Sequence, residues 1–180
     1  TALTSEKANS TRNDTTDGER PARTVSLVTG ATGFLGRHLV AALAGHLDGL
    51  PATESNVQRE VHIVSSQADP VFEGVDATAI TTHQVDLNNG KAITGLMETV
   101  RPTELFHLAW FNGESASRYS DPVNHDWVAI AEHTVEAFAK VGGKRAVVAG
   151  SCIEYGPEGG VLSEDGPVDP DSVYGRCKLD

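Results

Sequence analysis

One stretch constrains the fold more than any other: TVSLVTGATGFLGRHLVAAL, Thr24 to Leu43. Val25 to Val28 make a short apolar, β-branched run, the composition of a strand buried on both faces. Phe34, Leu35, Leu39, Val40 and Leu43 then recur at helical spacing. The change of period falls inside Gly30-Ala31-Thr32-Gly33-Phe34-Leu35-Gly36, so three glycines sit at a strand-to-helix turn. Glycine there allows backbone angles and close approaches that a Cβ would block, and the helix behind it aims unpaired N–H groups forward. A phosphate suits that place. A tight turn that merely needs small residues is the competing reading, but the flanking strand and helix favour dinucleotide binding by Gly30, Gly33 and Gly36. A nucleoside-triphosphate loop would need Lys-Ser or Lys-Thr after the last glycine, where Arg37 and His38 stand.

Length and charge narrow the classes further. A chain of 180 residues with 39% hydrophobic content holds one domain with a sizeable core. Its net charge of −11 and 14 dispersed Lys and Arg argue against a nucleic-acid surface. No apolar run approaches membrane-span length and no charged-then-apolar stretch opens the sequence, so a cytoplasmic protein without membrane contact is expected. Cys152 and Cys177 lack Cys-x-x-Cys spacing and read as reduced thiols. The seven histidines show no metal-ligand pattern; His125 and His133 share a predicted helix without His-Glu-x-x-His spacing, and no metal is expected.

Along the chain, Thr1 to Ala22 contains no Val, Ile, Phe or Trp, and reads as a disordered tail. The domain is taken as 23–180. After the first strand and helix, His46 to Glu60 reads as a polar connection, Val61 to Val64 as a second strand and Gln67 to Ala79 as a loop. Thr82 to Leu87 reads as a third strand, Lys91 to Val100 as a helix, and Glu104 to Ala109 as a fourth strand. Pro122 to Val141 is the longest helical pattern, stopped by Gly142-Gly143, and Arg145 to Ala149 is a fifth strand. Five strands alternating with helical or loop segments predict a parallel α/β sheet covered on both faces, with ligands at the carboxyl ends of the strands. Those ends read TGATGFLG, Asp86-Leu87, Ala109-Trp110 and Gly150-Ser151-Cys152.

Downstream, YGRCKLD places Tyr174 and Lys178 four residues apart at a helix start, one turn, so both face the same way. An ammonium beside a phenol favours the phenolate, which makes a tyrosine usable as a proton donor and acceptor near neutral pH. With TGATGFLG, Asp86-Leu87, RPTELFHLAW, GSCIEYG and EDGPVDPDSVYGRCK in this order, the chain from Thr24 onward resembles the extended short-chain dehydrogenases/reductases. Within them it is similar to the NAD-dependent epimerase/dehydratase group, which acts largely on nucleotide sugars.

The resemblance implies a doubly wound Rossmann sheet and an NAD(P)-dependent oxidoreductase or epimerase. It implies that Gly30, Gly33 and Gly36 cradle the pyrophosphate, with backbone contacts from Phe34 and Leu35. Asp86 would bind the adenine amine, Leu87 would lie beside the ring, and Ala109 would line the cofactor path. Ser151 would hydrogen-bond the substrate oxygen while Tyr174 exchanges a proton with it, and Lys178 would also hold the nicotinamide ribose. A homodimer through the long helix and the Tyr-Lys helix is implied for the complete protein.

Two departures carry weight. The group's dehydratases follow the Ser or Thr with an Asp-Glu pair; Cys152-Ile153 stand here, with Glu154 one place later, which disfavours dehydration and leaves a reductase or epimerase. At the end of the second strand an NAD enzyme places an acid for the ribose 2′-OH, whereas Ser65-Ser66 stand here and Asp69 lies beyond. Hydroxyls tolerate a 2′-phosphate that a carboxylate repels, so the reading leans to NADP. Trp110, Phe111, Tyr119 and Trp127 suit either a substrate-facing wall or core packing, and no site role is assigned to them. The sequence ends two residues after Lys178, where the group continues with more strands and a substrate lobe. An incomplete domain, truncated on its C-terminal side and inactive alone, is therefore expected; a non-catalytic module that binds or senses dinucleotide is the alternative.

Overall fold

The computed structural model describes residues 22–45, 57–113, 116–157 and 160–180. Thr1 to Pro21, almost all of the expected tail, lies outside them, as does most of the expected connection from His46 to Glu60. Strand β1 (Ala22–Thr29) leads into α1 (Phe34–Leu43), followed by β2 (Val57–Ser65), β3 (Ile80–Gln84) and α2 (Gly90–Val100). Then come β4 (Glu104–His107), α3 (Val123–Lys140), β5 (Arg145–Val148) and α4 (Val173–Leu179). All pairings are parallel and the order is β3-β2-β1-β4-β5.

Alternation along the strands divides the core between two faces. Leu27, Val64 and Leu105 meet Ile93 and Met97 of α2 and Phe138 of α3 on one face; Val28, Val61 and Ile63 meet Val40 of α1 and Phe72 on the other. Helix α2 starts where Asn89 Oδ1 accepts from Ala92 N at 3.2 Å. It stops at Arg101, which takes the left-handed conformation at φ +47° while its N–H bonds Met97 O. Among the described residues, no helix is long and apolar enough to cross a membrane.

Several expected boundaries move, each for a local reason. Ala22, assigned to the tail, opens β1. The second strand starts at Val57 rather than Val61, because β1 pairs with it along its whole length, from Ala22↔Val57 to Thr29↔Val64. Its polar residues are held by charge: Arg23 clasps Glu60 at 2.6 and 2.7 Å, and Arg59 donates to Ser26 and Glu104, each at 2.6 Å. The third strand runs from Ile80 to Gln84, not Thr82 to Leu87, because Asp86 turns the chain by accepting from Asn88. The fourth and fifth end at His107 and Val148, short of Ala109 and Ala149, and the long helix spans Val123–Lys140, with Pro122 and Val141 as its caps.

Candidate active site

The three glycines of the first turn do different jobs. Gly30 adopts φ +68°, and a Cβ there would come within 2.6 Å of Ala109 N and 2.7 Å of Leu108 C, so its bareness lets the ends of β1 and β4 close together. At Gly36 a Cβ would strike Gly30 O and reach 2.7 Å from Ala31 Cα, which sets the helix tight against the turn. Gly33 is the least crowded of the three: a Cβ would press on Gly30 O at 3.1 Å but meet nothing else within 4 Å. It is the N-cap of α1, with no side-chain cap and no acid in the first turn. The helix therefore presents unsatisfied N–H groups and the positive end of its dipole beside an uncluttered approach. Phe34 and Leu35 are 77% and 60% exposed, so packing does not account for them.

In front of this turn lies a groove of about 530 Å³ at the carboxyl ends of four strands, lined by Gly30, Thr32, Ser65, Asp86, Leu87 and Ala109. Asp86 Oδ1 accepts from both Asn88 N at 3.0 Å and Asn88 Nδ2 at 2.8 Å. Those bonds hold its carboxyl below the usual range, so it is ionised and faces the groove already oriented. Ser65 is buried and accepts from Gln67 N at 2.9 Å, whereas Ser66 is exposed.

The Tyr-Lys helix, α4, packs against α3 and the turn that follows Ser151. Ser172 caps it by accepting from Gly175 N at 3.0 Å. Gly175 sits where a Cβ would fall 3.1 Å from both Cγ2 and the carbonyl oxygen of Ile153, so its bareness lets α4 lie close against the segment carrying Ser151. Tyr174 and Lys178 do share one side: both meet Trp110, Tyr174 edge-on with centroids 6.3 Å apart and Lys178 Nζ 3.9 Å from the ring centroid. Among the described residues no hydrogen bond joins Tyr174, Lys178 and Ser151. Burial lowers the Lys178 pKa, and the charge of Glu154 opposes that. Ser151 accepts from Ile153 N at 3.3 Å while Glu154 Oε1 accepts from Ser151 N at 2.5 Å, a reciprocal cap that leaves the serine hydroxyl proton available to donate.

The family model of the NAD dependent epimerase/dehydratase family matches residues 26–180. The chain belongs to that family. UDP-glucose 4-epimerase 2 of Arabidopsis thaliana is 28% identical over 156 residues, which is 85% of this chain and 44% of that one. UDP-glucose 4-epimerase of Mycolicibacterium smegmatis is 30% identical over 160 residues, 86% of this chain and 48% of that one. The solved UDP-glucose 4-epimerase of Thermus thermophilus, in complex with NAD, superposes with a TM-score of 0.64 at 25% identity and covers 86% of this chain and 47% of its own. The chain thus spans less than half the length of these relatives.

Within this family member, sequence reasoning passed over three residues that the tertiary structure draws to the site. Trp127 lines the groove at the strand ends, Trp110 contacts the Tyr-Lys pair, and Glu154 holds the backbone of Ser151. The displaced position of Glu154 after Ser151 was visible; what its carboxylate bonds was not. His133 proves to be packing, its Nε2 2.9 Å from Gly90 O. Cys152 and Cys177 are free thiols, one exposed and one buried. No group of three or more His, Cys, Asp or Glu that could hold a metal lies among the described residues.

Proposed function

We propose that this chain is the dinucleotide-binding part of an enzyme that reduces or epimerises a carbon of a nucleotide-sugar-like substrate by hydride transfer. The observation that carries the reading is the groove itself: an uncapped helix start behind a turn that Gly30 and Gly36 keep tight, at the point where strand order reverses between β1 and β4, and an ionised Asp86 lining the same groove beyond the end of β3. These residues fit NAD(P). Gly30, Gly33 and Gly36, with the backbone of Phe34 and Leu35, hold the pyrophosphate by N–H groups and dipole. Asp86 accepts from the adenine amine, and Leu87 and Ala109 give the rings apolar contact. Held there, the dinucleotide would supply the hydride acceptor and donor for a carbon of the sugar.

The chain's own residues move the proton. Ser151 donates its hydroxyl to the substrate oxygen, Tyr174 takes or gives the proton at its Oη, and Lys178 supplies positive charge beside Tyr174 and binds the ribose. Cys152-Ile153 offer no acid for a departing hydroxyl, and Glu154 is occupied with Ser151 N, so dehydration is not part of the reading. Ser65-Ser66 at the end of β2 offer no carboxylate to repel a 2′-phosphate, which supports NADP as the preferred form. The unit 23–180 by itself is expected to bind dinucleotide without turnover; the complete protein is read as a cytoplasmic homodimer paired through α3 and α4.

Tyr174→Phe tests this in the complete protein. Losing the exchangeable proton should lower turnover of nucleotide sugars by about a hundredfold or more while dinucleotide binding persists. Retained turnover would place the chemistry elsewhere. Dinucleotide binding with no turnover in the parent would favour a sensing module.

A further inference from the structure

We propose that Trp110 is a positioning residue that holds Tyr174 and Lys178 ready for the cofactor. This rests on reading those two as the acid-base pair. Trp110 directly follows Ala109, in the segment just beyond β4, between the dinucleotide groove and α4. Its indole is fixed in orientation: Nε1 donates to Asn124 Oδ1 at 2.9 Å. Asn124 is fully buried, and its amide donates to the carbonyls of Arg118 and Asp121, both at 2.8 Å. All three of those bonds are directional, so the ring plane is set by the fold and not by what lies on it.

What lies on it is a charge. Lys178 Nζ sits 3.9 Å from the ring centroid, well inside the range of a cation–π contact and on the side chain that makes the strongest one. Among the described residues Lys178 has no hydrogen bond or ion pair. A lysine stem has four rotatable bonds, so without that face the ammonium would have to be ordered when the ribose arrives. Tyr174 is confined by the same ring: Trp110 meets it at 86° and Tyr119 meets it at 82° with centroids 5.6 Å apart, which leaves the phenol between two aromatic neighbours. Simple core packing would require neither a buried amide anchor nor an ammonium on the face.

The test uses the chain labelled with 13C-lysine. Its five lysines are Lys7, Lys91, Lys140, Lys144 and Lys178, and Lys178→Arg assigns the last signal. The ε-methylene of Lys178 should resonate upfield of the other four through the ring current of Trp110. Trp110→Leu should return it to the common position, and Trp110→Phe, which keeps a face but loses the anchor, should leave a partial shift. In calorimetric titrations with NAD and NADP, Trp110→Leu should bind about threefold to tenfold more weakly and Trp110→Phe should recover most of the loss. An unshifted Lys178 in the parent, a shift that survives Trp110→Leu, or undiminished affinity in that variant overturns the proposal and leaves the site reading standing. Should the leucine variant fail to fold, an unchanged or absent shift in Trp110→Phe overturns it equally. A parent that shows the shift but takes up neither dinucleotide overturns the site reading, and the positioning role with it.

Discussion

Acidification should withdraw stability from this chain, most of all through His107. Its ring closes the end of β4, only 1% exposed, with Nδ1 2.9 Å from Thr29 Oγ1 and Nε2 buried with no hydrogen-bond partner among the described residues. Burial first, and the charge of Lys178 second, push its pKa from 6.5 down to about 4. Unfolded, the imidazole takes up a proton as the pH falls through about 6.5; folded, it stays neutral until about 4. Between those values the unfolded chain binds more protons, so stability is fully present above the upper value and is lost as the pH falls toward the lower. That gap, at about 1.4 kcal/mol per pH unit, amounts to roughly 3 kcal/mol, a large share of a typical domain stability of about 5–15 kcal/mol. Urea unfolding followed by the fluorescence of Trp110 and Trp127, at steps from pH 7 to pH 4, measures it. His107→Gln keeps a polar side chain that does not titrate. His62 and His83, also lowered by burial, are present in both chains and cancel. The parent should lose roughly 3 kcal/mol more than His107→Gln across the series. Lys178→Met, which removes the second cause, should shrink the loss. Parallel stability curves for parent and His107→Gln would refute the argument.

Four further outcomes follow from the same geometry. Gly36→Ala should destabilise the fold by about 1–3 kcal/mol or more, because its Cβ has nowhere to go; Gly33→Val should fold and lose dinucleotide affinity, as thermal melts and calorimetry would separate. Asn89→Ala should cost about 1 kcal/mol in urea unfolding by removing the α2 cap. Ser66→Asp should shift the ratio of NADP to NAD affinity toward NAD; an unmoved ratio would remove the end of β2 from cofactor choice.

Much of the architecture was legible because periodicity is a local property. Val25–Val28 and Phe34–Leu43 differ in period within one turn, and that alone marks the strand, the helix and the glycines between them. Strand limits were less legible where polar side chains sit on a paired backbone. Gln58, Arg59 and Glu60 look like a loop, yet β1 supplies their ladder, Arg23 neutralises Glu60, Glu104 neutralises Arg59, and Ser26 accepts a hydrogen bond from Arg59. Asp86 erred the other way: an apolar neighbour on each side suggested strand, while its own side chain bends the backbone into a turn.

By itself the sequence determined the order of elements, the glycine turn and the one-turn spacing of Tyr174 and Lys178, since each depends only on residues a few positions apart. Tertiary structure alone decided that Gly30 lies against Ala109, that Glu154 accepts from the backbone of Ser151, and that Trp110 lies under Lys178. Most of these meetings join residues far apart along the chain, and the remaining one depends on a rotamer. No pattern of residue types specifies which face of an indole a distant ammonium will settle on; that follows from α4 packing against α3, whose Asn124 holds the ring in place.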